Sequence, residues 1–303
     1  KIDAAKILIS RLSRKKMSVE PCPTFEEVIA CKQLSQENLV IELMKLRKYK
    51  ADENKRCFVG NPFLYHFQLE NLCRCKVKNG SFKDTMDDEQ MRLKTWNNCN
   101  KYANGSRPNN APLRLFEMWR RMNGAIVFFK PSTAKYLYKQ FNATAILDPT
   151  AGWGGRMLGA YACDIPYTGI DTNTALKPAY DGMMALMNKP NLKMIWDSCL
   201  DVDFSTIDYD MVLTSPPYVN LEVYENMKPF ESDKVFYEKF LIPLLDKCRK
   251  FIRRNGYVCF NISPKMYRDL LKHGYKDCDA QYDLLQQKVQ GKDKGDKIYC
   301  WKA

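Results

Sequence analysis

The residues Thr214-Ser215-Pro216-Pro217-Tyr218 set a hydroxyl, two rigid rings and an aromatic side chain at the end of an apolar run. That run, Asp210-Met211-Val212-Leu213, is short and bounded by turn residues, and it reads as a buried strand. Neither proline can donate a backbone N–H, so the sheet ladder stops there. Each proline also pushes the residue before it toward extended geometry. The spacing predicts a stiff loop holding Ser215 and Tyr218 at the carboxyl end of a strand. Open parallel sheets bind their ligands at that edge. These five residues alone fit an ordinary strand-ending turn equally well.

Three carboxylates stand at comparable positions. Asp148 follows Ala145-Ile146-Leu147, Asp171 follows Tyr167-Thr168-Gly169-Ile170, and Asp197 with Ser198 follows Leu192-Lys193-Met194-Ile195-Trp196. The first opens a glycine-rich turn, Asp148-Pro149-Thr150-Ala151-Gly152-Trp153-Gly154-Gly155. Glycines there let the backbone approach a ligand closely. An acidic group at the end of the second strand suits a ribose diol, as in dinucleotide sites. The G-x-G-x-x-G spacing is absent, because the glycines are Gly152, Gly154, Gly155 and Gly159. No G-x-x-x-x-G-K-[ST] loop occurs either, which argues against a P-loop NTPase. Any one of these aspartates could simply cap the following helix. Three in register, beside a proline-stiffened loop, are harder to explain that way.

The elements that must position them alternate from residue 125 onward. Ala125–Phe129 reads as a strand ending at Lys130-Pro131, and Ser132 as the cap of a helix through Phe141. Helices are expected over 156–163, 175–189, 233–254 (bent near Pro243) and 264–272. A fifth strand is expected over 256–262, and an antiparallel pair over 281–288 and 297–301 around a Gly291–Gly295 loop. Such alternation means an α/β protein with a doubly wound parallel sheet. Upstream, Lys1 to Lys16 reads as an amphipathic helix rather than a signal peptide. Thr24 and Glu27 have capping-box spacing, 33–50 and 112–122 look helical, and 57–110 reads as less regular with a loop at 104–110.

The chain has 303 residues, enough for a large core, with 45% apolar and 27% charged residues. No apolar run approaches the ~20 residues that span a bilayer. The net charge of +13 is uneven. Residues 1–122 hold 24 Lys+Arg against 14 Asp+Glu, and residues 123–303 hold 24 against 21. A basic surplus in one part is a footprint for a polyanion such as nucleic acid. The 12 cysteines form no C-x-x-C pair. They imply free thiols and an intracellular, reducing compartment, such as cytoplasm, nucleus or viral factory. Cys57, Cys73, Cys75 and Cys99 match no common zinc template, so no metal is expected.

In this order the motifs resemble the S-adenosylmethionine-dependent DNA amino-methyltransferases, over roughly residues 123–303. Ser215-Pro216-Pro217-Tyr218 resembles their [S/D/N]-P-P-[Y/F/W] catalytic loop, and 148–155 resembles their cofactor loop, with Thr150, Gly152, Trp153 and Gly154 in it. Phe129-Lys130-Pro131 resembles the segment that holds the methionine carboxylate. Asp171 matches the ribose-binding position, and Asp197 the one near the adenine amino group. The resemblance implies a mostly parallel, seven-stranded Rossmann-like methyltransferase sheet preceded by a mainly helical basic region, 1–122. It also implies S-adenosyl-L-methionine as cofactor and methylation of N4 of cytosine or N6 of adenine. Ser215 and the Pro216 carbonyl would accept the amine hydrogens, and Tyr218 would stack on the extruded base. Asn220 and Tyr224 after the loop, Arg156 after the glycines and Asn261 on the fifth strand are candidate substrate contacts. The expected partner is double- or single-stranded DNA, together with a partner subunit or homodimer, and no membrane. An RNA base, a protein glutamine amide, or a non-catalytic DNA-binding subunit stay open as alternatives. With 198–213 and 263–296 too short for a target-recognition region, residues 1–122 are where one would sit.

Overall fold

The computed structural model describes residues 21–51, 57–77, 79–101, 110–124, 126–217, 230–284 and 295–303. The expected helix over 1–16, most of the 104–110 loop, Tyr218, Asn220, Tyr224 and most of the Gly291–Gly295 loop lie outside them.

The N-terminal part folds into α1 (Phe25–Ala30), α2 (Gln36–Lys48), α3 (Asn61–Arg74), α4 (Phe82–Asp87), α5 (Glu89–Lys101) and α6 (Ala111–Asn123) among the described residues. The capping box is present at α1. Glu27 N donates to Thr24 Oγ1 at 3.2 Å, and Thr24 N donates to Glu27 Oε2 at 2.7 Å. The expected irregularity of 57–110 is corrected to α3, α4 and α5. Helix α3 carries apolar groups on several sides (Phe63, Leu64, Phe67, Leu69, Leu72), so its sequence shows no clean stripe. It starts behind Gly60, whose φ of 87° suits glycine. Its Phe67 ring packs where a side chain on Gly182 would stand.

The second half supplies α7 (Pro131–Gln140), β1 (Ile146–Asp148), α8 (Gly155–Cys163), β2 (Tyr167–Ile170), α9 (Lys177–Met187), β3 (Leu192–Ile195) and β4 (Met211–Thr214). Then follow α10 (Asp233–Phe236), α11 (Ile242–Phe251), β5 (Tyr257–Ile262), α12 (Pro264–Lys272), β6 (Ala280–Asp283) and β7 (Lys297–Lys302). A π turn, Tyr237–Leu241, joins α10 to α11 just before Pro243. Pro243 lacks the N–H that an α-helix would need there, and the wider turn absorbs the fault.

The expected seven-stranded, doubly wound sheet is present, in the order β3-β2-β1-β4-β5-β7-β6. Strands β1 to β5 pair in parallel, and β7 is antiparallel to both β5 and β6. Strand neighbours alternate faces with a period of two. Ile146, Met211, Leu213 and Cys259 face one core, while Leu147, Val212, Val258 and Phe260 face the other. The first core also takes in Val28, Leu43, Leu64, Phe82 and Trp119. The N-terminal helices and this face of the sheet therefore share one core. No helix among the described residues is long and apolar enough to cross a membrane.

Residues 126–130 form no strand, against expectation. Strand β1 already has β2 and β4 as neighbours, so no ladder is open beside it. They pack instead against the start of α8. A Cβ on Gly155 would stand 1.8 Å from the Phe129 carbonyl oxygen. The cap of α7 is also corrected: Lys130 is its N-cap, Pro131 its first residue, and Ser132 Oγ donates to the Cys57 carbonyl at 3.3 Å. The carbonyl cannot yield without moving the 129–131 turn. Gly155→Ala should therefore lose about 3 kcal/mol of unfolding free energy, at the upper end of overpacking costs. Urea titration checks this, and a loss near zero would mean the turn is free to shift.

Candidate active site

The chain runs outward from β1 through β2 to β3, then returns to the other side of β1 at β4. The topological switch point lies between β1 and β4, so a crevice opens at their carboxyl ends. Asp148 ends β1 and Thr214 ends β4. Ser215, Pro216 and Pro217 follow directly on the same edge. Asp171 follows β2, and Asp197 with Ser198 follows β3. The structure thus brings the expected carboxylates and the proline loop to one edge.

They do not all face a ligand. Asp148 is fully buried and its carboxylate is occupied. Its Oδ2 accepts from Arg156 Nε at 2.7 Å and from the Tyr167 hydroxyl at 2.7 Å. Its Oδ1 accepts from Thr214 Oγ1 at 2.8 Å. Thr214 Oγ1 in turn lies 2.7 Å from Thr150 Oγ1 and accepts from Thr150 N at 3.2 Å. Arg156 also donates to the Thr150 carbonyl at 2.6 Å. Asp148 was expected at the cofactor and Arg156 at the substrate. Both are buried, and together they brace the 148–155 loop against β4. Burial alone would lower the Arg156 pKa, but the Asp148 charge and hydrogen bond more than reverse it.

The loop residues beyond are placed differently. Gly152 and Gly154 have φ of 57° and 87°, conformations that glycine adopts at no steric cost. Asp171 Oδ2 accepts from Gly152 N at 2.7 Å, and its Oδ1 accepts from Asn173 N at 2.9 Å. Each oxygen keeps a lone pair for a further donor. Burial pushes the Asp171 pKa up to about 6, against the two backbone N–H groups that favour its charge. Asp197 is exposed, and its Oδ1 accepts from Ser198 N at 2.7 Å. Trp153 and Phe129 are buried, with Phe128 against Trp153 at 5.8 Å. Lys130 is only 1% exposed, and its ammonium lies 5.0 Å from the centre of the Phe58 ring.

On β4 and β5 the register places Thr214 beside Phe260, so Ser215 and Asn261 are neighbours. Asn261 Nδ2 donates to Ser215 Oγ at 3.1 Å. Ser215 and Pro217 are half-buried and Pro216 is buried.

Sequence reasoning missed three supporting residues. Tyr167 reaches Asp148 along β2 because Gly169 leaves room: a Cβ there would stand 3.0 Å from the Tyr167 hydroxyl oxygen. Tyr180, on α9, holds the loop through the Ala151 and Gly152 carbonyls at 3.2 and 2.9 Å. Thr214 was visible only as the residue before Ser215. A glycine inside a strand was the one available signal. Among the described residues no three His, Cys, Asp or Glu side chains gather as a metal site, and Cys57, Cys73, Cys75 and Cys99 form no disulfide.

The sheet is Rossmann-like and mostly parallel, with its antiparallel seventh strand inserted beside the fifth. No protein-family model matches the sequence, and no curated protein matches it. Among solved structures, the chain is similar to TrmN from Thermus thermophilus at 14% identity. That match covers 65% of this chain and 68% of that one, with a TM-score of 0.43. It is also similar to an rRNA methylase from Streptococcus thermophilus at 9% identity, over 58% and 97% of the chains, with a TM-score of 0.39. An RNA methyltransferase from Salinibacter ruber, in complex with S-adenosyl-L-homocysteine, matches at 15% identity over 56% and 88%, with a TM-score of 0.37. All three likenesses are remote and concern the fold.

Proposed function

We propose that this protein is an S-adenosyl-L-methionine-dependent methyltransferase acting on the exocyclic amino group of a DNA base, N4 of cytosine or N6 of adenine. One observation carries the reading: a Ser-Pro-Pro loop leaves β4 at the switch point, beside a carboxylate that ends β2 with spare acceptor capacity. The donor set fits the cofactor. Asp171 would take the ribose hydroxyls, and Asp197 with Ser198 would lie toward the adenine. The backbone at Gly152 and Gly154 would allow close approach, and the 129–131 turn would close the methionine end. When bound, that group supplies an electrophilic methyl on a sulfonium.

The protein's part is to present the amine. An exocyclic amine shares its lone pair with the base ring and is a poor nucleophile. Ser215 Oγ and the Pro216 carbonyl are acceptors on a backbone that two proline rings keep from relaxing. Hydrogen bonds from both amine hydrogens draw the nitrogen toward a tetrahedral shape and aim its lone pair. Positioning and electrostatics then carry the reaction. Residues 1–122, with their basic surplus, are assigned to the phosphate backbone.

The test is transfer of labelled methyl to duplex DNA, single-stranded DNA and RNA, followed by nucleoside analysis. Label at N4 of deoxycytidine or N6 of deoxyadenosine supports the reading. Label only in RNA moves the substrate to RNA, and label on no nucleic acid overturns the nucleic-acid methyltransferase reading and favours a non-catalytic subunit. Ser215→Ala should lower turnover about 10–100-fold, the worth of one hydrogen bond to a group developing charge, with cofactor affinity kept. Equal turnover in the variant would remove Ser215 from its role.

A further inference from the structure

Asn261 is 5% exposed on β5, and its side-chain amide is only half satisfied. Nδ2 donates to Ser215 Oγ at 3.1 Å, whereas Oδ1 is buried and has no hydrogen-bond partner among the described residues. A buried polar atom without a partner is a cost that folded proteins rarely keep. Turning the amide over would not cure it: Oδ1 would then accept from Ser215, and Nδ2 would be the orphan. Whichever way it lies, this amide makes one bond to Ser215 and leaves its other group without a partner among the described residues.

We infer that Asn261 is a positioning residue that holds the Ser215 hydroxyl oxygen at the place where the substrate amine must meet it. This rests on the function proposed above. A hydroxyl has one donor and two acceptor sites and rotates to suit its surroundings. Left to itself, the Ser215 side chain would turn among its rotamers, and an amine needs the oxygen held in one place. The Asn261 N–H occupies one lone pair and thereby holds the oxygen in place. The second lone pair is left to accept an amine hydrogen.

The pairing makes Ser215 and Asn261 one unit, and this can be tested. Ser215→Ala, Asn261→Ala and the double variant are compared for kcat, for S-adenosyl-L-homocysteine affinity and for melting temperature. If the two residues act together, each single variant loses about 10–100-fold in kcat and the double variant loses no more than the worse single. Affinity for S-adenosyl-L-homocysteine stays within about twofold in all three, since neither residue is assigned to that ligand. Losses that multiply in the double variant overturn the inference while leaving the function standing. Absence of methyl transfer by the unaltered protein overturns both.

Asn261→Asp adds a readout that a structural role would not move. A protonated carboxyl can donate to Ser215 as the amide does, but a carboxylate cannot. At that buried position the pKa should be raised, so kcat of the variant should fall as pH rises, by about tenfold per unit beyond that pKa. The unaltered protein should show no such fall under saturating cofactor. A flat profile for Asn261→Asp, in a protein that melts normally, would show that donation to Ser215 is not what position 261 supplies.

Discussion

Arg156→Met is expected to destabilise the protein by about 3–5 kcal/mol, because it strands a buried carboxylate without its counter-ion. Asp148 is completely buried, and Arg156 is 4% exposed. Their contact of 2.7 Å is an ion pair at the centre of the site. Methionine replaces most of the side-chain volume, so the loss reports on charge more than on a cavity. Tyr167 and Thr214 would still donate to Asp148, but two neutral donors do not replace a guanidinium. The Thr150 carbonyl would lose its Arg156 bond as well, and the 148–155 loop would lose its tie to α8. Urea unfolding followed by circular dichroism measures the difference. Arg156→Met combined with Asp148→Leu should be less damaging than Arg156→Met alone, since removing both charges leaves none unpaired. If the double variant is the worse of the two, the pair is not the source of the loss.

That buried pair also shows where sequence reading stopped. The order of strands and helices from residue 145 onward was legible because β1 to β5 are short apolar runs between turn residues. The functional edge was legible because a parallel sheet places every strand's carboxyl end together. What side chains do at that edge was not legible. Asp148 and Asp171 look alike in sequence, each closing an apolar run before a turn. Asp148 lies at the switch point, where Arg156, Tyr167 and Thr214 converge on it, while Asp171 receives only backbone N–H groups and keeps lone pairs to spare. The difference depends on a tyrosine at the far end of β2 and on a glycine that lets its ring lie along the strand. No local pattern carries that. The stretch 126–129 failed for a related reason: its composition suits a strand, yet it packs against the start of α8, and β1 is already paired on both sides. Residues 57–110 misled in the opposite direction, because helices buried on several sides lose the stripe by which helices are recognised.

Asp171 should make cofactor affinity depend on pH in a window where ordinary aspartates are silent. Its pKa is pushed up to about 6, chiefly by burial. Ribose hydroxyls can both donate to it only when it is ionised, so ligand binding favours the charged form. Affinity for S-adenosyl-L-homocysteine should therefore be flat above about pH 7 and fall below about pH 6, approaching tenfold per unit. The ligand-free protein should respond with the opposite sign. A carboxyl whose folded pKa exceeds its unfolded value of ~3.9 holds its proton more tightly when folded. Its contribution to stability is thus present at low pH and is lost between about pH 4 and pH 6. Asp171→Asn should flatten both curves. It should also weaken binding by about 100-fold at about pH 8, the worth of two hydrogen bonds to a charged acceptor. Calorimetric titration from about pH 5 to pH 8 gives the affinities, and thermal melting over the same range gives the stabilities. A pH-independent affinity in the unaltered protein would remove Asp171 from the ribose position. An affinity that falls together with a stability that rises, as pH drops through the same window, would mark Asp171 as a carboxylate kept at a cost to the fold for the sake of its ligand.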